Sequence, residues 1–324
     1  MEAFETSKSP LARDSIEQAG EVMETLAWEM LRLRLSMLVV NELVKRRAFQ
    51  VPIHLALGHE AVAVAVSMAM GAHDRLLLTH RNIHYNIARN ADLAAEIAEY
   101  RLERDAPGGG RFGAMNLIAP ENGIVYTSSI LGNCLPVAVG VAKGRAVKQA
   151  DAVTFAVTGD GALEEGAFYE ALMMATSLRL PLIFLVENND WSMYTRVAER
   201  RCALDLQRLA EAFAIPFRRL SGDDAEACLK GMTALRADVA EAQRPAIVEV
   251  TLATLGDREV TEEGKPPRTI NYHHGGAAHI SYEAGPIIEE SERDPLYRLS
   301  GRLPAETWRR LVAEARAPLD GFLA

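Results

Sequence analysis

Two runs of strand length, residues 152–158 (AVTFAVT) and 181–187 (PLIFLVE), are continuous apolar stretches but for Thr154 and Thr158 in the first and the closing Glu187 in the second. That pattern belongs to strands covered on both faces, the condition of a parallel sheet. Parallel neighbours need a crossover between them. Residues 163–178 supply one, with Phe168, Ala171, Leu172 and Ala175 at i, i+3, i+4 and i+7 of a helix. The chain therefore contains a βαβ unit, and each of its strands runs out into a polar motif, Gly159-Asp160-Gly161 after the first and Asn188-Asn189 after the second.

The same alternation extends outward. Residues 217–220 and 245–252 read as strands, and 206–214 and 224–242 as helices. Upstream, residues 15–46 read as a long helix closed by Lys45-Arg46-Arg47, and 58–71 as a nearly all-apolar helix buried on most sides. Asp92 suits the N-cap of a helix carrying Leu93, Ile97 and Tyr100, and residues 106–113, rich in glycine, form a loop. Residues 131–147 carry Gly132, Ala138, Gly140, Ala142 and Gly144, a small-residue face on which another helix could pack at short range, an interchain contact being one such case. A final helix spans 304–316, and the charged stretch 256–268 reads as a mobile loop. The expectation is an α/β fold with a doubly wound, mostly parallel sheet flanked by helices. Residues 1–50 form an N-terminal helical segment, 51–255 the α/β domain, and 256–324 a C-terminal loop and helix packed on that domain.

Length and composition admit this and exclude other classes. With 324 residues, 49% hydrophobic and 24% charged, the chain is neither disordered nor low-complexity. A net charge of −9 offers no footprint for nucleic acid or for an anionic membrane. Three separated cysteines, Cys134, Cys202 and Cys228, build no disulfide framework and no cysteine-rich zinc site. The polar start lacks the apolar core of a secretory signal, and no apolar run has the roughly 18 residues of a membrane span. A cytoplasmic location is expected.

In an open α/β sheet the carboxyl edge is where ligands bind. The 26 residues between Gly161 and Asn188, one helix plus one strand, bring the two motifs side by side there. Asp160 and Asn189 offer hard oxygens of the kind Mg²⁺ takes together with substrate phosphates. Gly159 and Gly161 permit a tight turn, and a helix starting near Ala162 would point free N–H groups at a diphosphate. Alone, Gly-Asp-Gly is more often a hairpin turn and Asn-Asn a loop bonded to its own backbone. Their joint occurrence across a crossover favours a metal–diphosphate clamp.

This combination resembles the thiamine-diphosphate motif. Over residues 31–252 the chain resembles the α subunit of the heteromeric 2-oxo acid dehydrogenase decarboxylating component, the pyruvate and acetoin dehydrogenase type. The resemblance runs through IHLALGHEAVAVAV, THRNIH, SSILGNCLPVAVGVA, GDGALEEGAFYEALMMATSLRLPLIFLVENNDWSMYT and PAIVEV. It implies a thiamine-diphosphate-binding fold in which Asp160, the Asn189 side chain and the Trp191 carbonyl hold Mg²⁺. Gly159, Gly161 and Ala162 would meet the diphosphate, with Arg81 gripping it, and backbone groups of Ser129 and Leu131 would bond the aminopyrimidine. Asn188 would shape the metal loop. The resemblance further implies an α₂β₂ assembly in which the β subunit carries the glutamate that activates the aminopyrimidine. The substrate would be a small 2-oxo acid, with a lipoyl acyltransferase as a possible further partner.

Histidines His80, His84, His273 and His274 are the candidates for moving protons. His54 and His59 flank a helix start and read as structural, and Glu164 and Glu165 as favourable charge at a helix N-terminus. The segment Tyr272-His273-His274-Gly275 could hold a metal, although it lacks cysteine and a carboxylate pair. It also comes about twenty residues later than the histidine loop of the family. Ile83 and Asn116 stand where the family commonly has histidine. Two rival readings follow: a half-length transketolase-like subunit that transfers a ketol unit, or a non-catalytic subunit that holds cofactor for a partner.

Overall fold

The computed structural model describes residues 10–148, 151–261, 264, 266–271 and 273–324. In chain order it contains α1 (Pro10–Lys45), α2 (Glu60–Ala69), β1 (Arg75–Thr79), α3 (Ile83–Asn90), α4 (Leu93–Tyr100), β2 (Ile124–Ser128), α5 (Cys134–Lys148), β3 (Thr154–Gly159), α6 (Gly166–Ser177) and β4 (Leu182–Asn188). Then come β5 (Trp191–Ser192), β6 (Thr195–Arg196), α7 (Val197–Arg200), α8 (Leu206–Ala212), β7 (Phe217–Ser221), α9 (Ala225–Ala242), β8 (Ala246–Thr251), β9 (Arg258–Val260), β10 (Arg268–Ile270), α10 (Pro295–Ser300) and α11 (Ala305–Arg316). No described helix is long and apolar enough to cross a membrane.

Six strands form one sheet in the order β2-β1-β3-β4-β8-β7, and every pairing in it is parallel. The period of two along each strand sorts its side chains between two cores. Phe155, Val157, Ile183, Leu185, Val248 and Val250 join the layer of α1, α2, α3 and α9. Ala156, Leu182, Phe184, Val186 and Ile247 join that of α5, α6 and α8. Each fully buried Val, Leu, Ile or Phe contributes roughly 1.5–3 kcal/mol, so both faces are strongly specified. The doubly wound sheet expected from the sequence is the observed one.

Several boundaries differ from the sequence reading. The chain does not enter an α-helix near Ala162: a 3-10 turn spans Asp160–Glu164 and α6 begins only at Gly166. The stretch 256–268 is not wholly loop, because β9 and β10 pair antiparallel across it. The short strands β1, β2, β5 and β6 and the short helices α7 and α10 went unread.

One buried cation ties distant parts of the chain together. Arg34 of α1 has no exposed surface, and all five of its N–H donors are used. Nε and Nη2 donate to Glu60 at 2.5 and 2.9 Å, Nη2 and Nη1 to Asp294 at 3.0 and 3.1 Å, and Nη1 to the Pro286 carbonyl at 2.8 Å. Burial by itself would lower the Arg34 pKa; the two carboxylates reverse that and raise it. Glu60 also accepts from the Gly58 N–H, and Asp294 caps α10. Gly58 has φ +97°, and a Cβ there would lie 2.1 Å from the Ala253 carbonyl oxygen, so only glycine fits where the α2 entry meets the segment after β8.

Replacing Arg34 by Met would leave two buried carboxylates unpaired, at a cost of about 3–5 kcal/mol. Arg34→Lys, with three donors in place of the fork, should recover only part of it. Urea denaturation of the three proteins checks this, and an Arg34→Met midpoint equal to that of the parent would refute it.

Candidate active site

Strand order reverses beside β3, since β1 and β2 lie to one side of it and β4, β8 and β7 to the other. A crevice opens at the carboxyl ends there. The cleft is walled by Thr79, His80 and Arg81 after β1, Ser128, Ile130, Leu131 and Gly132 after β2, Gly159 to Ala162 after β3, and Glu187 and Asn189 at the tip of β4. His59, Trp191, Ser192, Met193 and His273 complete it. Gly159 pairs with Glu187 in register, so the two motifs are neighbours as expected.

Asp160 is buried, and burial pushes its carboxyl pKa up. Arg200 and the backbone N–H groups of Asp160 and Asn189 oppose that shift. The Arg200 guanidinium, from α7, donates to Asp160 at 2.5 Å and to Glu164 at 3.0 Å, so the carboxylate already holds a cation. Gly161 is required for a steric reason: a Cβ on it would lie 2.7 Å from Ser192 Oγ, where the loop after β4 folds over it. That loop turns through two left-handed residues, Asp190 (φ +65°) and Met193 (φ +52°), and the Arg196 guanidinium stacks on Trp191 at 4.6 Å.

A hydrogen-bond chain orients the Asn189 amide. The Trp191 N–H donates to Oδ1 at 3.0 Å, so the amide nitrogen must point the other way, where it donates to Thr254 Oγ1 at 3.0 Å. The Thr254 hydroxyl then donates to His59 Nε2 at 2.9 Å, and His59 Nδ1–H faces Glu187 at 3.3 Å. The other Glu187 oxygen accepts from Tyr85 at 2.7 Å and faces His84 Nε2 at 3.0 Å. Desolvation pushes the Glu187 carboxyl up, but the paired histidines outweigh it and hold the pKa well below the usual carboxylate range.

The sequence-derived residues therefore divide. Asp160, Asn189, Trp191, Gly159, Gly161, Ala162, Arg81, Leu131, His80 and His273 line the cleft. Arg81 is buried and donates to the carbonyls of Leu55 and His273, the latter at 3.4 Å. Ser129 and His274 are exposed and outside the lining. Asn188 turns away, to donate to Glu249 at 2.8 Å. His84 is fully buried against Glu187 rather than facing the cleft. Tyr272 lies outside the described residues. Glu187, Thr254, Arg200 and the functional setting of His54 and His59 were missed; the signal available for the first was a lone carboxylate ending an otherwise apolar strand.

The neutral histidines carry a pH signature. Burial is the largest cause that lowers the pKa of His54 to about 2 and of His80 and His273 to about 4, and it lowers that of His59 as well. Unfolded, each titrates near about 6.5. Between that pH and about 4 the unfolded chain binds protons that the folded chain refuses, so stability falls as pH drops through this window. Denaturation midpoints at pH 7, 6 and 5 should decline, and a His54→Gln variant should show a shallower decline; parallel slopes would contradict this.

Residues 29–255 match the family model described as Dehydrogenase E1 component. The mitochondrial pyruvate dehydrogenase E1 component subunit alpha of Solanum tuberosum is 28% identical over 285 residues, covering 88% of this chain and 69% of that protein. Pyruvate dehydrogenase E1 component subunit alpha of Rickettsia bellii (strain RML369-C) is 31% identical over 197 residues, covering 61% of this chain and 60% of that protein. Of solved structures, transketolase from Leishmania mexicana superposes with a TM-score of 0.57 at 18% identity, covering 93% of this chain and 48% of that one. That likeness speaks for the fold. With the family pattern running from within α1 to the segment after β8, well over half of the chain, the protein belongs to the dehydrogenase E1 component family and is similar to its α subunits.

Proposed function

We propose that the chain is the α subunit of a thiamine-diphosphate- and Mg²⁺-dependent enzyme that decarboxylates a 2-oxo acid and passes the acyl unit to an acceptor such as lipoamide. The observation that carries this reading is the convergence of Asp160, Gly161 and Asn189 at the crevice. There a buried carboxylate already binds one cationic group, Arg200, through Oδ2, and a Cβ on the adjoining Gly161 would lie 2.7 Å from Ser192 Oγ. The donors fit the group: hard oxygens suit Mg²⁺, and the amide oxygen of Asn189 is the atom its hydrogen bonds turn toward the Trp191 loop.

Asp160, Asn189 and the Trp191 carbonyl would hold the metal. Gly159, Gly161, Ala162 and Arg81 would hold the diphosphate, and Ser129 and Leu131 the aminopyrimidine through their backbone. When bound, thiamine diphosphate supplies the carbanion chemistry of decarboxylation, and the protein supplies orientation and electrostatics. His80 and His273, uncharged at neutral pH and on the cleft wall, are placed to accept or return a proton. His84 acts behind them by holding Glu187, and His274 stands at the rim.

A β-type partner would complete the site. Ile130 (69% exposed), Leu131, Met173, Met174 and Met193 are apolar side chains left in solvent, the first two and the last at the cleft itself. A Cβ on Gly140 or Gly144 of α5 would meet open space, leaving room for the close helix packing of an interchain contact. We place this assembly in the cytoplasm, where the three free cysteines remain reduced. A second reading, ketol transfer by a transketolase-like pair of subunits, draws on the imidazoles of the cleft wall, which suit a hydroxylated donor. Lipoamide-dependent acyl transfer in the reconstituted complex separates it from the first.

Thiamine diphosphate should bind the isolated chain weakly and the chain with its co-purifying partner tightly, and only with Mg²⁺. Asp160→Ala should abolish both binding, read by calorimetry, and turnover. Unchanged turnover in the assembled variant would instead make the chain a scaffold, and tight binding with full turnover by the isolated chain would rule out a split site.

A further inference from the structure

We propose that His54, His80 and His273 form a second metal site, a three-imidazole seat for one divalent cation of the Zn²⁺ class. The three rings come from separate segments: the loop before α2, the end of β1 and the chain after β10. Their centroids are 4.8, 4.9 and 5.4 Å apart. In a tetrahedral site with Zn–N bonds of about 2.0–2.1 Å, imidazole centroids lie about 5 Å from one another, so the rings already have the spacing of a three-histidine seat. One nitrogen of each lies within 4.8 Å of the others, against about 3.3 Å in a tetrahedral site, and rotation of the two less buried rings, His80 and His273, closes the remaining gap of up to about 1.5 Å.

The polar accounting points the same way. His59 and His84, the other buried pair, are satisfied by Glu187 and, for His59, Thr254. Among the described residues no carboxylate pairs with His54, His80 or His273, and His54 Nδ1 is buried without a hydrogen-bond partner, in a residue only 6% exposed. A coordinate bond is one way such an atom is satisfied. The rings are uncharged at neutral pH, so a metal displaces no proton there. Arg81 lies beside them; its charge opposes a cation and favours an anionic fourth ligand, such as hydroxide, on the cleft side.

Ligand chemistry separates the two sites. Imidazole alone favours Zn²⁺, Co²⁺, Ni²⁺ or Cu²⁺, whereas the oxygens of Asp160 and Asn189 favour Mg²⁺. Because His80 and His273 line the cleft, an ion on them ties up both rings and narrows the entrance. The site stands on this geometry alone and does not depend on the thiamine reading.

The test is a Co²⁺ titration of the full chain in excess Mg²⁺. One equivalent should develop the visible absorption of tetrahedral Co²⁺, and Zn²⁺ should erase it. Asp160→Asn should leave the signal intact, while His54→Ala and His273→Gln should each weaken Co²⁺ binding at least tenfold. His273 is half-buried, so its variant decides the matter should His54→Ala fail to fold. Absence of the band in the parent chain would overturn the proposal, as would a band that survives His273→Gln and disappears in Asp160→Asn.

Discussion

The cleft depends on one buried negative charge. Glu187 follows five apolar residues near the end of β4, and it is kept ionised by His59, His84 and Tyr85, which arrive from the start of α2 and from α3. A carboxylate in that position would be costly without them, because an unpaired buried charge forces protonation or local opening. Satisfying it fixes two helices against the tip of β4. The same histidine then reaches Thr254 and through it Asn189, so the orientation of an amide at the cleft is set by a charge behind it.

Arg34 plays the corresponding part with opposite sign, further from the cleft. Its guanidinium joins α1, the start of α2 and the cap of α10, segments separated by as many as 260 positions in the chain. The planar fork matters because all five donors are spoken for, and a point charge could not reach both carboxylates and a carbonyl. Around the cleft the chemistry is divided between two walls. One presents hard oxygens from β3 and β4; the other presents uncharged imidazoles from β1 and the segment after β10.

Much of the architecture could be read from residue order. The apolar runs at β3, β4 and β8 leave no alternative to strands covered on both faces, and the helical period between them requires a crossover. The two polar motifs then fall at neighbouring strand ends. Reading failed where local signal is weak. RLLLT and IVYTS are five residues each and run into polar segments, so neither stands out as a strand. The hairpin of β9 and β10 is built from three-residue strands in a charged stretch, too short to show an apolar alternation. The start of α6 was misplaced because periodicity marks the helix body, while the 3-10 turn at Asp160–Glu164 reflects how that turn packs under the loop carrying Ser192.

The sequence by itself determined the fold class, the crossover and the meeting of Asp160 with Asn189, because each follows from periodicity and from the parallel register of adjacent strands. Tertiary structure alone decided which polar side chains face the cleft and which face one another. Asn188 and Asn189 are consecutive, yet one turns to Glu249 and the other to Thr254. His80 and His84 are four apart, yet one faces the cleft and the other a buried carboxylate. Hydrogen-bond partners and neighbouring charges settle such choices, and those partners come from strands and loops that no local pattern in the sequence identifies.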